Sequence, residues 1–348
     1  MLNQYETSPK ALFNWFILVF FCTAWSCSNN SSSSQKPPYS FSPFEFLAAA
    51  PDPNEFLCAQ ANTPDTAEDK IFIDCLLEGE SYVQSPTPPK DEIKIVAYNV
   101  ERGYKVAQQL VELKKLQADI ILLSEVDRGC SRTGGDALAQ TYAKELQMNY
   151  VYAVEFVELT KQSDGSRKAQ CEHGNAILSR YPIGNVEQIR HAAQESWFDA
   201  GQSRLGGRIA IAADIQIEEQ YVRVYSVHFE SNIPEEPRNA QAREIAEHGL
   251  RSPLLVVVGG DFNSGYLSLE LQWGAEVDET ARQFTNLGYH DAHADLSFES
   301  RITAPSSEFI LDLLMSHPGK LSNPGVGSRE LWDGLSDHRP VWATLTLP

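Results

Sequence analysis

Polar side chains that could do chemistry flank six apolar segments of the 348-residue sequence. Each segment carries a carboxylate, an amide or an imidazole at or near one end. These residues are Asn99 and Glu101, Glu125, His228, Asp261 and Asn263, Asp312, and Asp337 with His338. Because ligand sites form where strand ends converge at the edge of a sheet, we expect these side chains to meet in one cleft.

This combination of side chains suits phosphoryl chemistry at a divalent metal ion. Taken alone, Asn99 or Asp261 is more typical of a turn, and Glu125 of a solvated surface. Taken together, they supply the oxygen ligands that Mg²⁺ prefers, and substrate phosphate can complete the coordination shell. Hydrolysis also needs a base for the attacking water and a donor for the non-bridging oxygens, and histidines and carboxylates supply both.

The segments that position these residues alternate between strand and helix from residue 91 onward. Apolar, β-branched runs predict strands at 93–98, 119–123, 150–156, 175–178, 208–217, 221–227, 254–258, 310–315 and 341–347. Apolar residues at helical spacing predict helices at 106–117, 136–147 and 235–250. Many strands, some adjacent and some separated by helices, predict a mixed sheet core flanked by helices.

Short motifs around the same residues follow one another in a specific order. They are Asn99-x-Glu101, Glu125, Ser226-Val227-His228, Gly260-Asp261-Phe262-Asn263, Asp312 and Ser336-Asp337-His338, with HGNAILSRYPI at 173–183. In type and order they resemble the endonuclease/exonuclease/phosphatase superfamily, which has the DNase I-like fold. The resemblance covers about residues 91–348. It implies an α/β (α+β) architecture, a four-layer αββα sandwich, and a divalent cofactor, Mg²⁺ or Mn²⁺.

The resemblance also implies a set of metal ligands. Glu125 would be the principal ligand, with Asn99 and Glu101 beside it. Asp337 would complete the metal or hydrogen-bond network, and Asn99 would also contact the substrate phosphate.

The catalytic roles implied by the resemblance fall on the remaining motif residues. Asp261 would orient or deprotonate the attacking water, and Asn263 would position that water and the phosphate. His338, oriented by Asp312, would stabilise the phosphoryl group, because an imidazole held by a carboxylate keeps one tautomer and can donate to an anionic oxygen. His228 would be the second imidazole and contact the phosphate, as in the branch of nucleases and sphingomyelinases.

We therefore predict a divalent-metal-dependent phosphoester hydrolase, with phosphodiesters as the preferred substrates. A nuclease, a sphingomyelinase-like enzyme, an inositol-phosphate phosphatase and a non-catalytic binding lipoprotein of the same fold stay open as alternatives. The stretch EFILDL at 308–313 lacks the Pro-Ala-Trp-Cys-Asp-Arg signature of inositol-phosphate phosphatases, which counts against that branch. A serine hydrolase is disfavoured because GQSRL at 201–205 breaks the G-x-S-x-G pattern at its last position.

The net charge limits the partners of the protein. With 28 basic and 47 acidic residues the formal charge is −19. Nucleic-acid binding needs clustered Lys and Arg, whereas the arginines are scattered along the chain at Arg102, Arg128, Arg132, Arg180, Arg204 and Arg208. We therefore expect no stable nucleic-acid complex. We also expect a monomer that acts on a phosphoester substrate. A polyanion held through metal ions is still allowed, because the metal supplies positive charge.

The N-terminal segment predicts export. The apolar run LFNWFILVFFCTA at 12–24 is shorter than the ~20 residues that span a bilayer and follows Lys10, as in a secretory signal. Small residues before Cys27 and a Ser/Asn tract after it resemble a bacterial lipoprotein signal with Cys27 lipidated. A plain signal peptide and a retained anchor are the alternatives. The protein would then be a periplasmic or outer-membrane/cell-surface lipoprotein, with the membrane as a partner through its lipid anchor.

The chain accordingly divides into three predicted parts. Residues 1–27 form the signal, 28–90 a Ser/Pro-rich tether with a small Cys-containing preface, and 91–348 the catalytic domain. Beyond Cys27 the cysteines are Cys58, Cys75, Cys130 and Cys171, and four cysteines allow three connectivities. Pairing of near neighbours in an oxidising compartment favours Cys58–Cys75 and Cys130–Cys171. Four buried thiols are the alternative.

Overall fold

The structure, a computed structural model, describes residues 39–46, 51–85, 87–88, 90–192, 194–231, 235–263 and 279–347. The chain divides into two units, Met1–Tyr39 and Ser40–Pro348, and every described residue except Tyr39 lies in the second. The predicted signal, Cys27 and the start of the predicted tether lie outside the described residues. Within the described part, no helix combines the length and the apolar character that crossing a bilayer requires.

Strands dominate the described residues, as the many β-branched segments of the sequence favour. In chain order the elements are β1 (Glu78–Ser81), β2 (Glu92–Arg102), α1 (Val106–Leu116), β3 (Ile120–Arg128), α2 (Leu138–Leu146), β4 (Asn149–Lys161), β5 (Arg167–Ser179), β6 (Ile183–Arg190), β7 (Arg204–Gly206), β8 (Ile209–Ile217), β9 (Gln220–His228), α3 (Glu235–Leu250), β10 (Leu255–Asp261), α4 (Glu279–Thr285), β11 (His290–Asp291), α5 (Phe298–Arg301), β12 (Asp312–His317), β13 (Ser322–Val326), α6 (Arg329–Trp332) and β14 (Val341–Thr346). Every predicted strand and helix occurs, with shifted boundaries.

These strands form two sheets. In the first sheet the strand order is β1-β4-β5-β3-β2-β14-β13, and β7 pairs with β4. In the second sheet the order is β11-β12-β10-β9-β8-β6. The pairs β2/β3 and β9/β10 are parallel, so the strands of each pair end at the same edge of their sheet.

Alternating side chains stack the two sheets face to face, because successive residues of a strand point to opposite faces. In β2, Ile95 and Ala97 join a buried cluster that also contains Ile211 of the second sheet. Val96 and Tyr98 point the other way, into a cluster that includes side chains of α1 and α2. On the outer face of the second sheet, a third cluster includes side chains of α3 and α4. The resulting order of layers is αββα, which confirms the predicted sandwich.

The register of the second sheet aligns three of the predicted site residues. Asp261, the last residue of β10, lies opposite His228 of β9 on one side and Asp312 of β12 on the other. Gly260 has a φ of 145°, and a Cβ at this position would lie 2.0 Å from the backbone oxygen of Val227. Only glycine fits there without strain, and it allows β10 to end with Asp261 between its two neighbours.

The described part of the predicted tether and preface packs on the sandwich. Strand β1 pairs with β4 in the first sheet, and Leu57 and Ile73 belong to the cluster beneath α1 and α2. The boundary expected at residue 91 therefore separates segments that share one sheet. Local sequence did not indicate this, because β1 has only four residues and its pairing partner lies about 70 residues further on.

Two disulfides join segments around this packing. Cys58 is bonded to Cys75 within the preface, and Cys130 after β3 is bonded to Cys171 in β5. These are the two pairs that the sequence favours.

Candidate active site

Asp261 lies at the centre of a cluster of polar side chains contributed by both sheets. Its Oδ2 accepts a 2.9 Å hydrogen bond from Nδ2 of Asn99. The same oxygen lies 3.6 Å from Nε2 of His228 and 3.7 Å from Nε2 of His338. Asp261 is only 1% exposed. A carboxylate held in this way has one orientation and faces two imidazoles.

Glu125 completes the cluster from an irregular position in β3. Its φ is 56°, at the point where the pairing of β3 with β5 shifts. Its Oε1 lies 3.2 Å from Nδ2 of Asn99 and 4.0 Å from Nε2 of His228. Burial raises the pKa of Glu125, but electrostatic interaction with the surrounding imidazoles and the hydrogen bond from Asn99 outweigh burial and lower the pKa below its ordinary value. Glu125 is therefore ionised at neutral pH.

His338 is held by a buried carboxylate. Its Nδ1 lies 2.6 Å from Oδ2 of Asp312, and its backbone N–H donates to Oγ of Ser336 at 3.1 Å. The backbone of Asp312 is fixed in turn by a 3.1 Å hydrogen bond to Oγ1 of Thr303. Burial lowers the pKa of His338, but the carboxylates of Asp312 and Asp261 outweigh it and raise the pKa well above 6.5. Protonated His338 therefore presents its Nε2–H towards Asp261.

His228 is held by a cation instead. Nη1 of Arg208 lies 2.8 Å from Nδ1 of His228 and also donates to Oε1 of Glu155 at 2.5 Å. Because a guanidinium has no acceptor and stays protonated, Nδ1 of His228 must be the acceptor. The ring proton then sits on Nε2 and faces the site. Oε2 of Glu155 lies 3.3 Å from Nδ1 of His228.

The remaining predicted residues lie at the edge of the cluster. Burial raises the pKa of both Glu101 and Asp337, and the backbone N–H of Asp337 donates to the Glu101 carboxylate. Asn263 donates its amide N–H to a backbone oxygen just after β9, at 2.8 Å, and its backbone N–H to Oδ1 of Asp261. Here Asn263 shapes the turn after β10 with its side chain.

Two groups of side chains among the described residues have the geometry to hold a metal ion. Glu125, His228 and Asp261 each offer one ligand atom, and these atoms lie within 4.8 Å of one another. Asp261, Asp312 and His338 form the second group. In the second group, Asp312 already bonds His338 strongly. The first group fits a divalent cation better, with the carboxylates of Glu125 and Asp261 as the ligands, because His228 carries its ring proton on Nε2 and has no free lone pair there.

Of the carboxylates predicted to bind the metal, only Glu125 belongs to one of the two groups with metal-binding geometry. Glu101 and Asp337 belong to neither group. The side-chain N–H groups of Asn99 donate hydrogen bonds to Glu125 and Asp261, and its Oδ1 accepts one from the backbone N–H of Glu101 at 3.0 Å. In this arrangement Asn99 orients the two carboxylates.

A pocket of about 170 Å³ opens beside Glu125 and His228. Its walls also contain side chains that the sequence did not predict, namely Arg102, Phe156, His173, Arg204, Arg208 and Ser231. Arginines that are scattered along the chain thus meet at the site. For Glu155, which supports Arg208, a signal exists in the sequence. It is a carboxylate inside an apolar strand, and burying one costs free energy unless it is paired.

Solved structures of similar fold include proteins from three bacteria. The endonuclease/exonuclease/phosphatase from Beutenbergia cavernae is 16% identical, with a TM-score of 0.56 over 74% of this chain and 72% of that one. The family protein from Leptotrichia buccalis is 17% identical, with a TM-score of 0.52 over 72% and 98%. The protein from Bacteroides vulgatus is 18% identical, with a TM-score of 0.51 over 74% and 100%. At such identities the likeness concerns the fold alone.

Sequence comparison gives the family. No curated protein matches the chain. The model of the Endonuclease/Exonuclease/phosphatase family matches residues 96–338, a stretch that contains both carboxylates and both imidazoles of the cluster. That match covers well over half of the sequence, and the chain therefore belongs to the endonuclease/exonuclease/phosphatase family.

Proposed function

We propose that this protein is a divalent-metal-dependent phosphoester hydrolase that prefers phosphodiesters and uses Mg²⁺ or Mn²⁺. The observation that carries the proposal is the position of Asp261, whose Oδ2 lies between the Nε2 atoms of His228 and His338 at 3.6 Å and 3.7 Å. Water activation and stabilisation of a phosphoryl oxygen require a proton acceptor and proton donors within a few ångströms of each other. Family membership supports the same reaction class.

Each side chain of the cluster has a distinct part in this proposal. Glu125 and Asp261 would hold the cation, with Asn99 orienting both carboxylates. When bound, the cation supplies positive charge beside the phosphoryl oxygens. Asp261 would also orient or accept a proton from the attacking water. His228 and His338 would donate from Nε2 to phosphoryl oxygens as negative charge develops on them.

The two imidazoles are prepared for donation by different means. His338 would donate as an imidazolium stabilised by Asp312, whereas His228 would donate as a neutral ring whose tautomer Arg208 selects. The site would thus offer one charged and one neutral donor, and both Nε2 atoms lie within 4 Å of Oδ2 of Asp261.

The test is hydrolysis of bis(4-nitrophenyl) phosphate by the full chain with Mg²⁺ or Mn²⁺. We expect activity in the wild type, its loss on adding EDTA, and a large decrease in Glu125→Ala and His338→Ala. Equal activity in all three proteins would discard the site. A serine hydrolase would keep its activity in EDTA, and a non-catalytic binding protein would show no activity with either metal.

We also propose that the protein is exported and tethered by a lipid on Cys27. The apolar run at 12–24 and the two disulfides support export. Labelling with an alkyne analogue of palmitate in a bacterial host should mark the wild type but not Cys27→Ala. Label on both proteins, or on neither, would contradict the anchor. We further expect the detergent-solubilised protein to be monomeric by light scattering and to form no stable complex with duplex DNA.

A further inference from the structure

Three arginines stand together beside the proposed metal-binding carboxylates. Arg102 at the end of β2, Arg204 at the start of β7 and Arg208 before β8 line the pocket that contains Glu125 and His228. Arg102 and Arg204 also line a second cavity of about 370 Å³. Arg102 and Arg204 therefore lie where the pocket beside Glu125 joins this second cavity, and a substrate that extends from one into the other would pass them.

Two of the three guanidinium groups have carboxylate partners. Nη1 of Arg102 lies 2.7 Å from Oε1 of Glu158, and Nη1 of Arg208 lies 2.5 Å from Oε1 of Glu155. Among the described residues no carboxylate forms an ion pair with Arg204. Arg102 and Arg208 are thus each paired with a carboxylate in direct contact, whereas Glu155 and Glu158 act on Arg204 only from a greater distance.

Arg204 is fixed in place but leaves hydrogen-bonding capacity unused. Its guanidinium lies over the ring of Phe156 at 4.3 Å and over that of Trp197 at 5.0 Å. Nη2 donates to Oε1 of Gln202 at 3.1 Å, whereas Nε is buried without a hydrogen-bond partner among the described residues. Buried donors of this kind normally have partners, so this arginine has the geometry of a preformed receptor for an acceptor group.

The surroundings favour an anion as that acceptor. Burial, followed by the charges of Arg208 and Arg102, lowers the pKa of Arg204, and the opposing charges of Glu155 and Glu158 do not outweigh them. A phosphate in direct contact would stabilise the charged guanidinium and satisfy several of its donors at once. A cationic headgroup such as phosphocholine would add a further positive charge.

We infer that Arg204, with Arg102 beside it, binds a second phosphate of the substrate, so that the natural substrate carries a phosphate group close to the phosphoester that is cleaved. This inference rests on the proposed hydrolase function and narrows its substrate class. The shared chemistry is a second phosphate, whether on a soluble molecule or on a lipid headgroup. Substrates without one are expected to be poor.

The soluble arm of the test uses two esters that release the same chromophore. They are the 4-nitrophenyl ester of thymidine 5′-phosphate, with and without a phosphate at the 3′ position. For the wild type we expect kcat/KM to be at least tenfold higher with the 3′-phosphate, because only that ester can make the charge-assisted hydrogen bonds to Arg204. This ratio should fall to nearly one in Arg204→Gln and only partly in Arg204→Lys, which keeps the charge.

A lipid arm distinguishes the source of the second phosphate. Vesicles of phosphatidylcholine, with or without phosphatidylinositol 4-phosphate, are incubated with the protein and the released headgroups are measured. Cleavage of the phosphoinositide alone, sensitive to Arg204→Gln, would assign the second phosphate to a lipid. Preferred cleavage of phosphatidylcholine would overturn the inference.

A matched control and a binding measurement separate this inference from the proposed function. Arg243→Gln removes an exposed arginine of α3 with the same change of charge and should keep the wild-type ratio. Calorimetric titration of thymidine 3′,5′-bisphosphate in EDTA should show binding at least tenfold weaker in Arg204→Gln. Cleavage of all the esters with wild-type ratios in Arg204→Gln overturns the inference alone. If no ester is cleaved with any metal, the proposed function fails. In that case, equal affinity of the wild type and Arg204→Gln for thymidine 3′,5′-bisphosphate overturns the inference as well.

Discussion

Replacing Asp312 with Asn removes the carboxylate whose Oδ2 lies 2.6 Å from Nδ1 of His338 and leaves the shape of the side chain almost unchanged. The charge centres of such a pair are about 4 Å apart, and at an effective dielectric constant of 20 their attraction is about 4 kcal/mol. Because the charge of Asp312 favours the protonated ring, Asp312→Asn should lower the pKa of His338 towards its ordinary value. Asp261 remains 3.7 Å from Nε2 and keeps part of the elevation.

The consequence for catalysis depends on pH. His338 is proposed to donate as an imidazolium, so activity is present below its raised pKa and is lost as the pH rises through it. In Asp312→Asn this loss begins at a lower pH, so the activity ratio of wild type to variant should be greater at pH 8 than at pH 5.5. At pH 8 we expect kcat to decrease by about 10²–10⁴, the usual contribution of a positioned acid or base.

The assay is the pH dependence of kcat for bis(4-nitrophenyl) phosphate, with thermal unfolding as the measure of folding. Glu244→Gln is a matched control, because Oε2 of Glu244 lies 2.6 Å from Nδ1 of His191, and His191 belongs to neither the cluster nor its pocket. The control should retain activity within about twofold. A loss below tenfold in Asp312→Asn, or a wild-type to variant ratio that is the same at every pH, would refute the reasoning.

Three further predictions concern metal binding, a buried ion pair and a buried carboxylate. A divalent cation at 100 times its dissociation constant should stabilise the wild type by about 2.7 kcal/mol and raise Tm by about 5–10 °C; an equal rise in Glu125→Gln would exclude that residue as a ligand. Arg208→Gln should lower the free energy of unfolding, measured in urea, by about 3–5 kcal/mol, because Glu155 is left buried and unpaired. The double variant Arg208→Gln/Glu155→Gln should recover much of that loss, and no recovery would contradict the pairing. Burial raises the pKa of Glu172 from 4.5 to about 7, so its contribution to stability should fall by roughly 3 kcal/mol as the pH rises through that range. The urea midpoint should therefore decrease between pH 5 and pH 8 by less in Glu172→Gln than in the wild type. Equal decreases in the two proteins would contradict this.

Much of the site could be predicted because its residues follow strands that the sequence reveals locally. β-branched runs and alternating apolar residues depend on near neighbours only, so the strands that carry Asn99, His228 and Asp261 near their ends were predictable. Two parallel strands end at the same edge of a sheet, and this accounts for the pairing of His228 with Asp261. Glu125 is different, because a bulge in β3 with a positive φ turns its side chain towards the cluster.

The supporting residues were not predictable in the same way. Arg208 and Glu155 are 53 positions apart in the sequence, and no local pattern relates them. Arg204 stands in a strand of three residues that pairs with β4 and is too short to produce a recognisable alternation. The net charge of −19 argued against a basic surface, yet an average over the chain carries no information about where individual arginines meet.

The sequence by itself determined the family, the order of the strands along the chain and the carboxylates and imidazoles near their ends, because these depend on local pattern and on motif order. The tertiary structure alone decided how those groups are paired. It assigned Asn99 to the carboxylates, Arg208 to His228, and left Arg204 without a carboxylate partner among the described residues. The physical reason is that hydrogen bonding and charge compensation depend on distances of a few ångströms between segments, and these distances are set by sheet register and by the stacking of the two sheets.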